Sequence, residues 1–295
     1  MTSSVMKVDA AVLSELRGIQ ELSDLKAIRG RLAALIAACE EPSSVRGVTT
    51  SASQSEPRAS PQLRDAIEGS NAAELSALLS SMKAGSSYIV DEGTGVTALH
   101  RAVEIGNMTI VDLLLKQVDE EARVEKTLHS LAGEMLVQSL KRRVNRPTSI
   151  TGYTPLHFAV SGSNDKVVAE LLRRGADPDL PSCDDQRVTP FLLACELGQE
   201  MAVRMMLKVT NGACADRSDA QGNNGLHLAA ENGHAGIAEV LMGVLPSLAR
   251  EENKDEKTPA ALARENGFSA IAELIDELDR QPQPQSGNGG GFFFG

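Results

Sequence analysis

Five histidines and four cysteines are the side chains of this 295-residue chain best suited to acid–base, nucleophilic or metal chemistry. The histidines are His100, His129, His157, His227 and His234; the cysteines are Cys39, Cys183, Cys195 and Cys214. No H-E-x-x-H pair sets two imidazoles on one helix face for zinc, no serine stands in G-x-S-x-G, and no G-x-x-x-x-G-K phosphate loop occurs. The glycines from Gly287 to Gly291 have no strand before them and no helix after them, so they do not form a nucleotide loop. The cysteines make no C-x-x-C pair and no framework of a short secreted module, which points to free thiols in a reducing compartment, the cytosol or the nucleus. Cys195 reads as a small buried thiol rather than a reactive or zinc-bound one. His100, His157 and His227 share a setting: each stands three residues after Thr97, Thr154 or Asn224 and two before Ala102, Ala159 or Ala229. An imidazole so placed can bond the threonine hydroxyl or nearby backbone and fasten adjacent loops, a structural role. The strong local signatures of catalysis are missing, and the chain is read as a non-enzyme without cofactor or metal.

The elements that hold those histidines repeat. Aligning Ala102, Ala159, Ala194, Ala229 and Ala263 brings Thr97-Ala-Leu-His, Thr154-Pro-Leu-His, Thr189-Pro-Phe-Leu, Asn224-Gly-Leu-His and Thr258-Pro-Ala-Ala into one column, and Gly106, Gly198, Gly233 and Gly267 into another. Thr154 to Thr189 spans 35 residues, Thr189 to Asn224 spans 35 and Asn224 to Thr258 spans 34. Threonine at a helix start offers its hydroxyl to free backbone amides, and proline in the first turn loses no hydrogen bond there. The alanine is small enough for antiparallel helices to approach, and the glycine permits a left-handed residue where the chain turns back. A second helix then buries Leu114-Leu115, Leu171-Leu172, Met206-Leu207, Val240-Leu241 and Leu274-Ile275. No single unit can fold alone, because each buries its apolar faces only on its neighbours.

On these residues the chain resembles the ankyrin-repeat family: Gly152-Tyr-Thr-Pro-Leu-His-Phe-Ala159 with Leu171-Leu-Arg-Arg-Gly-Ala-Asp177 matches its pattern over nearly a whole unit. The period is close to the ~33 residues of that family. The resemblance covers about 61–281 and implies an all-α solenoid of about six helix-turn-helix units, with hairpin fingers at one edge. It departs at Asn224-Gly225, where Thr-Pro is usual, and at Ala260-Ala261, where Leu-His is usual, which predicts weaker or terminal units. It implies binding of other macromolecules, with the partner set by surface residues rather than by the fold.

A formal net charge of −11 argues against general binding of nucleic acid or of an anionic membrane, both of which need clustered positive charge. The partner is expected to be a protein that is basic or neutral. No apolar run approaches the ~20 residues that span a bilayer. The first residues lack the hydrophobic region of a signal peptide, and Asp9, Glu15, Glu21 and Asp24 argue against a transit peptide.

In chain order, residues 1–41 are read as a helical N-terminal segment, with Leu13, Leu16, Ile19, Leu22, Leu25, Ile28, Leu32, Leu35 and Ile36 at helical spacing. Self-association through 8–40 and docking within the chain both stay open. Residues 42–60, rich in Ser, Thr and Pro, are read as a flexible linker. A degenerate first unit begins at Pro61: a shift of 36 lays Leu63 on Leu99, Ala66 on Ala102, Asn71 on Asn107 and Leu78-Leu79 on Leu114-Leu115. Its missing histidine suits a capping unit whose outer side faces water. Thr97 to Thr154 is 57 residues, so an insertion falls near 119–150, after the second helix of its unit. The insertion is read as helical through Leu128, Leu131, Met135, Leu136 and Leu140, ending in Lys141, Arg142, Arg143 and Arg146. Those cations either complement the helix dipole or serve a partner-specific lever. The tail 282–295 is read as a spacer ending in Phe292-Phe293-Phe294, which either docks in an apolar pocket, touches a membrane or does neither.

The repeat register also selects a binding face. Two residues after the alanine stand Glu104, Glu196, Glu231 and Glu265, with Ser161 in the same slot, and one before it stand Arg101, Phe158, Leu193, Leu228 and Leu262. Together they predict an apolar ridge beside an acidic row on the concave side, bordered by the finger residues Asp184, Asp185, Arg187, Asp219 and Asn223. Such a groove suits a basic or amphipathic segment. The sequence therefore reads as a protein-binding adaptor or regulatory subunit. A membrane-peripheral scaffold held by the phenylalanine tail and an inhibitory regulator of an enzyme are the alternatives.

Overall fold

A column of capped prolines, alanines and apolar pairs can be satisfied only by helices that alternate and stack. The computed structural model describes residues 61–81, 89–91, 93–128 and 143–280, with the backbone alone at 89 and over 120–128. All of them fall in one compact unit, Ser55–Gly295. The expected N-terminal helix, linker, insertion helix beyond Leu128 and phenylalanine tail lie outside the described residues.

Six helix pairs follow one another: α1 (Pro61–Glu68) and α2 (Ala72–Ser81), α3 (Ala98–Ile105) and α4 (Met108–Leu128), α5 (Pro155–Ser161) and α6 (Asp165–Arg173), α7 (Pro190–Glu196) and α8 (Glu200–Thr210), α9 (Gly225–Glu231) and α10 (Ala235–Val244), and α11 (Pro259–Glu265) and α12 (Ser269–Arg280). Single-turn 3-10 helices close the fourth and fifth pairs at Ala213–Asp216 and Pro246–Arg250. The short strands β1 (Ile89–Asp91) and β2 (Val96–Thr97) pair antiparallel as the finger entering the second unit. The aligned alanines Ala102, Ala159, Ala194, Ala229 and Ala263 are all fully buried, as close helix approach requires. Of the paired apolar residues on the second helices, only Leu274 escapes full burial. In the capping unit Leu63, Ala66 and Leu79 are buried as the shift of 36 predicts, whereas Leu78 is half-buried.

Thr97, Thr154, Thr189, Asn224 and Thr258 stand at the N-caps of the first helices with extended backbone. Each first helix ends on a left-handed residue four after the alanine. It is Gly106, Gly198, Gly233 or Gly267 where the sequence offers glycine, and Ser70 (φ 53°) or Ser163 (φ 51°) in the first and third units.

Units are joined along the fingers by backbone hydrogen bonds. Ser149 N–H donates to Thr94 O (2.8 Å), Cys183 N–H to Thr151 O (2.8 Å), Ala220 N–H to Gln186 O (2.8 Å) and Lys254 N–H to Gln221 O (2.9 Å). Gly152 is required here: it adopts φ 72°, and a Cβ on it would sit 2.4 Å from the amide nitrogen of Cys183. At the opposite edge the residue after each turn reaches back one unit. Asn164 Nδ2 donates to Gly106 O (3.3 Å), the Gln199 amide donates to Val160 O and to Ser163 Oγ, and His234 Nε2 donates to Glu196 O (2.9 Å).

The insertion enters differently from expectation. Rather than following the second helix, it begins as a continuation of it. The other second helices of the array beyond it are 9 to 12 residues long, whereas α4 has 21. The surplus projects about 15 Å at 1.5 Å per residue. The chain re-enters at Asn145, whose Nδ2 donates to Gly175 O (3.0 Å) and whose Oδ1 accepts from Asp177 N–H (2.8 Å). Asp119 near the array's edge pairs with Arg174, which also bonds Glu170 at 2.9 Å. The stack therefore passes the insertion unbroken.

Candidate functional site

The three register histidines are buried and bound at both nitrogens. Nδ1 receives the backbone N–H of Thr97 (3.2 Å), Thr154 (3.0 Å) or Asn224 (3.3 Å) in its own unit. A backbone N–H can only donate, so Nδ1 accepts and the proton resides on Nε2. That Nε2–H donates to the carbonyl of the next finger: His100 to Tyr153 O, His157 to Val188 O and His227 to Lys257 O, each at 3.0 Å. The neutral imidazole thus stitches one unit to the next. Burial pulls the His100 and His157 values down to about 4, and that of His227 below 6.5, because a charged ring would lose its hydration. Leu192 takes the histidine's place in the fourth unit and is fully buried, so the fourth-to-fifth joint lacks this stitch.

The cysteines behave as small core residues. Burial pushes the Cys195 thiol far above its ordinary value and that of Cys214 up to about 12, which suppresses thiolate formation. Cys183 is exposed, and all three are free. Among the described residues no group of three or more His, Cys, Asp or Glu is arranged to hold a metal ion.

The face formed by the first helices and fingers carries the register-selected residues, and the structure separates them. Arg101 is spent within the array, on Glu68 and Glu104 at 2.8 Å each. Glu265 is paired with Lys257 at 2.5 Å. Leu228 (8 % exposed) and Leu262 (7 % exposed) are buried, so the ridge narrows to the half-buried Phe158 and Leu193. Asp184 organises its own finger: Oδ1 accepts from Ser182 Oγ (2.5 Å), Gln186 N–H (3.1 Å) and Arg187 N–H (3.1 Å). Asp219 does the same through Gln221 N–H and Asn223 N–H, both 2.8 Å. Asn223 Oδ1 accepts from Asn253 Nδ2 of the next finger (2.8 Å). Asp185 and Arg187 are exposed at the fourth finger, Arg187 with left-handed backbone (φ 52°).

Glu196 and Glu231 remain. Neither has a cationic partner within ion-pair distance among the described residues. Partial burial, with Glu231 and Asp219 as like charges beside it, holds the Glu196 carboxyl above its usual value. Beside them Tyr153 stacks on His157 at a centroid distance of 4.7 Å and meets Phe158 edge-on at 6.3 Å. No rule of the register selects Tyr153; its signal is that one of only two tyrosines stands directly before a capping threonine. The middle of this face therefore combines carboxylates that form no ion pair among the described residues with half-buried aromatic and aliphatic walls. That arrangement can hold a cation with an apolar stem.

Comparisons with known proteins fit this architecture. The family model of ankyrin repeats in three copies matches residues 64–182 and 177–246. The chain is 28 % identical over 201 residues to mouse Rabankyrin-5, covering 61 % of this chain and 17 % of that protein, so it spans about a sixth of that relative's length. It is 30 % identical over 170 residues to Probable 26S proteasome regulatory subunit p28 of Saccharomyces cerevisiae, covering 56 % of this chain and 74 % of that one. Among solved structures, a chain in the complex of a predatory endopeptidase from Bdellovibrio bacteriovorus with its immunity protein shares the fold. It has a TM-score of 0.58 and 22 % identity, over 75 % of this chain and 99 % of that chain. Capped, histidine-stitched helix pairs, a period of 34 to 35 residues and the match of the family model lead to one conclusion: the chain belongs to the ankyrin-repeat family, whose stacked units mediate protein–protein interaction.

Proposed function

We propose that this chain is a non-catalytic adaptor or regulatory subunit that holds a basic or amphipathic segment of a partner protein against the first helices and fingers of its third to fifth units. The observation that carries this reading is the contrast within one row of carboxylates. Glu104 and Glu265 form ion pairs with Arg101 and Lys257, while among the described residues Glu196 and Glu231 form none, Lys257 acting on Glu231 only from beyond ion-pair distance. Like charges left together raise the energy of the free surface, and a cationic partner relieves it. The net charge of −11 steers such a partner toward the face and speeds encounter. Because the stitched stack is preformed, association orders little of this chain. The name of the similar p28, a proteasome regulatory subunit, agrees with a regulatory role. Free Cys183, Cys195 and Cys214 support a reducing compartment, the cytosol or the nucleus.

The test is affinity capture with the full chain beside a Glu196→Lys, Glu231→Lys double variant whose melting matches wild type. Partners held by this face are lost by the variant and weaken on wild type as salt rises from about 0.05 to 0.3 M, where the Debye length shortens. An identical partner set on both proteins would overturn the assignment.

A further inference from the structure

Within that binding reading, on which this inference rests, the geometry points to one arginine side chain of the partner as the anchor, received in a notch that Tyr153, Phe158 and Leu193 wall and that Glu196 and Asp184 close. The third and fourth units meet here. The Cys183-to-Thr151 backbone bond (2.8 Å) draws the finger bearing Asp184 alongside the one that leads to Tyr153, and the His157-to-Val188 stitch (3.0 Å) fixes that approach. Phe158 and Leu193 hold the same slot of successive first helices, half-buried and packed at the edge of the core. Glu196 lies one turn along α7 from Leu193.

The ring of Tyr153 is held rigidly by its stack on His157 and its edge contact with Phe158. Burial and then the fields of Asp184 and Glu196 resist ionisation of its phenol, so both carboxylates act at this ring. Asp184 directs its Oδ1 into its own finger, and Oδ2 makes none of those bonds. Aromatic surface next to open carboxylate oxygen is the environment that a planar, weakly hydrated guanidinium favours. It can stack on a ring and donate in a fork to a carboxylate at once, whereas a compact ammonium keeps more of its water.

The experiment selects short random peptides displayed on phage against the immobilised full chain, then titrates the strongest binder as a synthetic peptide. Its analogues carry lysine or citrulline in place of each arginine in turn. The expected result is that one arginine stands out. Lysine there weakens binding about fivefold and neutral citrulline about tenfold or more, and both Tyr153→Leu and Glu196→Gln erase the preference for arginine over lysine. Glu196→Gln alters only a surface group, so it decides the matter even where Tyr153→Leu lowers stability. Basic peptides that bind equally with lysine or arginine, on wild type and both variants alike, would overturn the notch while leaving the acidic face standing. Selection of no basic peptide would overturn both.

Discussion

At the scale of single residues, the same imidazole that looks like chemistry in the sequence is a fastener whose value depends on staying neutral. The sign follows from that. Below pH 6.5 the unfolded chain takes up protons that folded His100 and His157 refuse until about pH 4, so stability falls as pH drops through this window. Each histidine contributes ~1.4 kcal/mol per pH unit at most, and His227 acts in the same direction. We expect urea midpoints to decline steeply from pH 7 to 5. We expect His157→Leu to lose ~2–3 kcal/mol at pH 7 by leaving the Thr154 amide and one acceptor site of the Val188 carbonyl unpartnered, and to show a shallower decline. A pH-independent midpoint in wild type would refute the neutral stitch. A second residue-scale point concerns Gly225, where proline is usual. A Cβ there would lie 3.0 Å from Cys195 Sγ and 3.1 Å from Phe191 Cε1, so a bulky Phe191 in one unit is accommodated by a missing side chain in the next. Gly225→Ala should cost ~1–3 kcal/mol from overpacking, and less in a Phe191→Leu background, where only the contacts with Cys195 and Leu241 remain; equal costs in a double-mutant cycle would show the two sites to be independent. The histidines, alanines and caps were legible because their types repeat in register. The roles of Asp184 and Asp219 were not, since a carboxylate that organises its own turn and one offered to a partner have the same letter and the same slot. Leu228 and Leu262 misled for a related reason: register gives a helix face but not how far the neighbouring helix covers it.

At the scale of elements, counting from Thr97 to Thr154 located the insertion, but counting cannot tell a lengthened helix from an added one. Sequence placed the surplus after the second helix; the structure runs α4 straight through it to Leu128. Nothing in Asp119 or the residues after it stops a helix, and no glycine or proline intervenes before Gly133. The return is the more demanding end, because it must deliver Ser149 and Thr148 to the finger of the third unit. Asn145 performs this by closing on Gly175 and Asp177. Asn145→Ala should lower stability by ~1–2 kcal/mol, with faster amide exchange at Asp177 and Ser149, since it removes both bonds from a half-buried site. Unchanged exchange at Ser149 would mean that the backbone bond to Thr94 holds the return unaided.

At the scale of the whole molecule, the six helix pairs among the described residues build a one-dimensional interior in which each joint has its own set of fasteners. Stability in such an array sums over units and interfaces rather than over one core. The period, the caps and the degenerate first unit announced this architecture, because every pair must present the same small residues to its neighbour. The binding face was only half announced: the row of glutamates was visible, but which of them stay unpaired depends on Arg101 and Lys257 arriving from other positions. The most direct test of the central claim is amide exchange of the full chain with and without its captured partner. The account predicts protection concentrated on the fingers and first helices around Tyr153–Ser161, Asp184–Glu196 and Asp219–Glu231, and little change on the second helices α6, α8 and α10. Protection confined to those second helices, with the first helices unchanged, would contradict it.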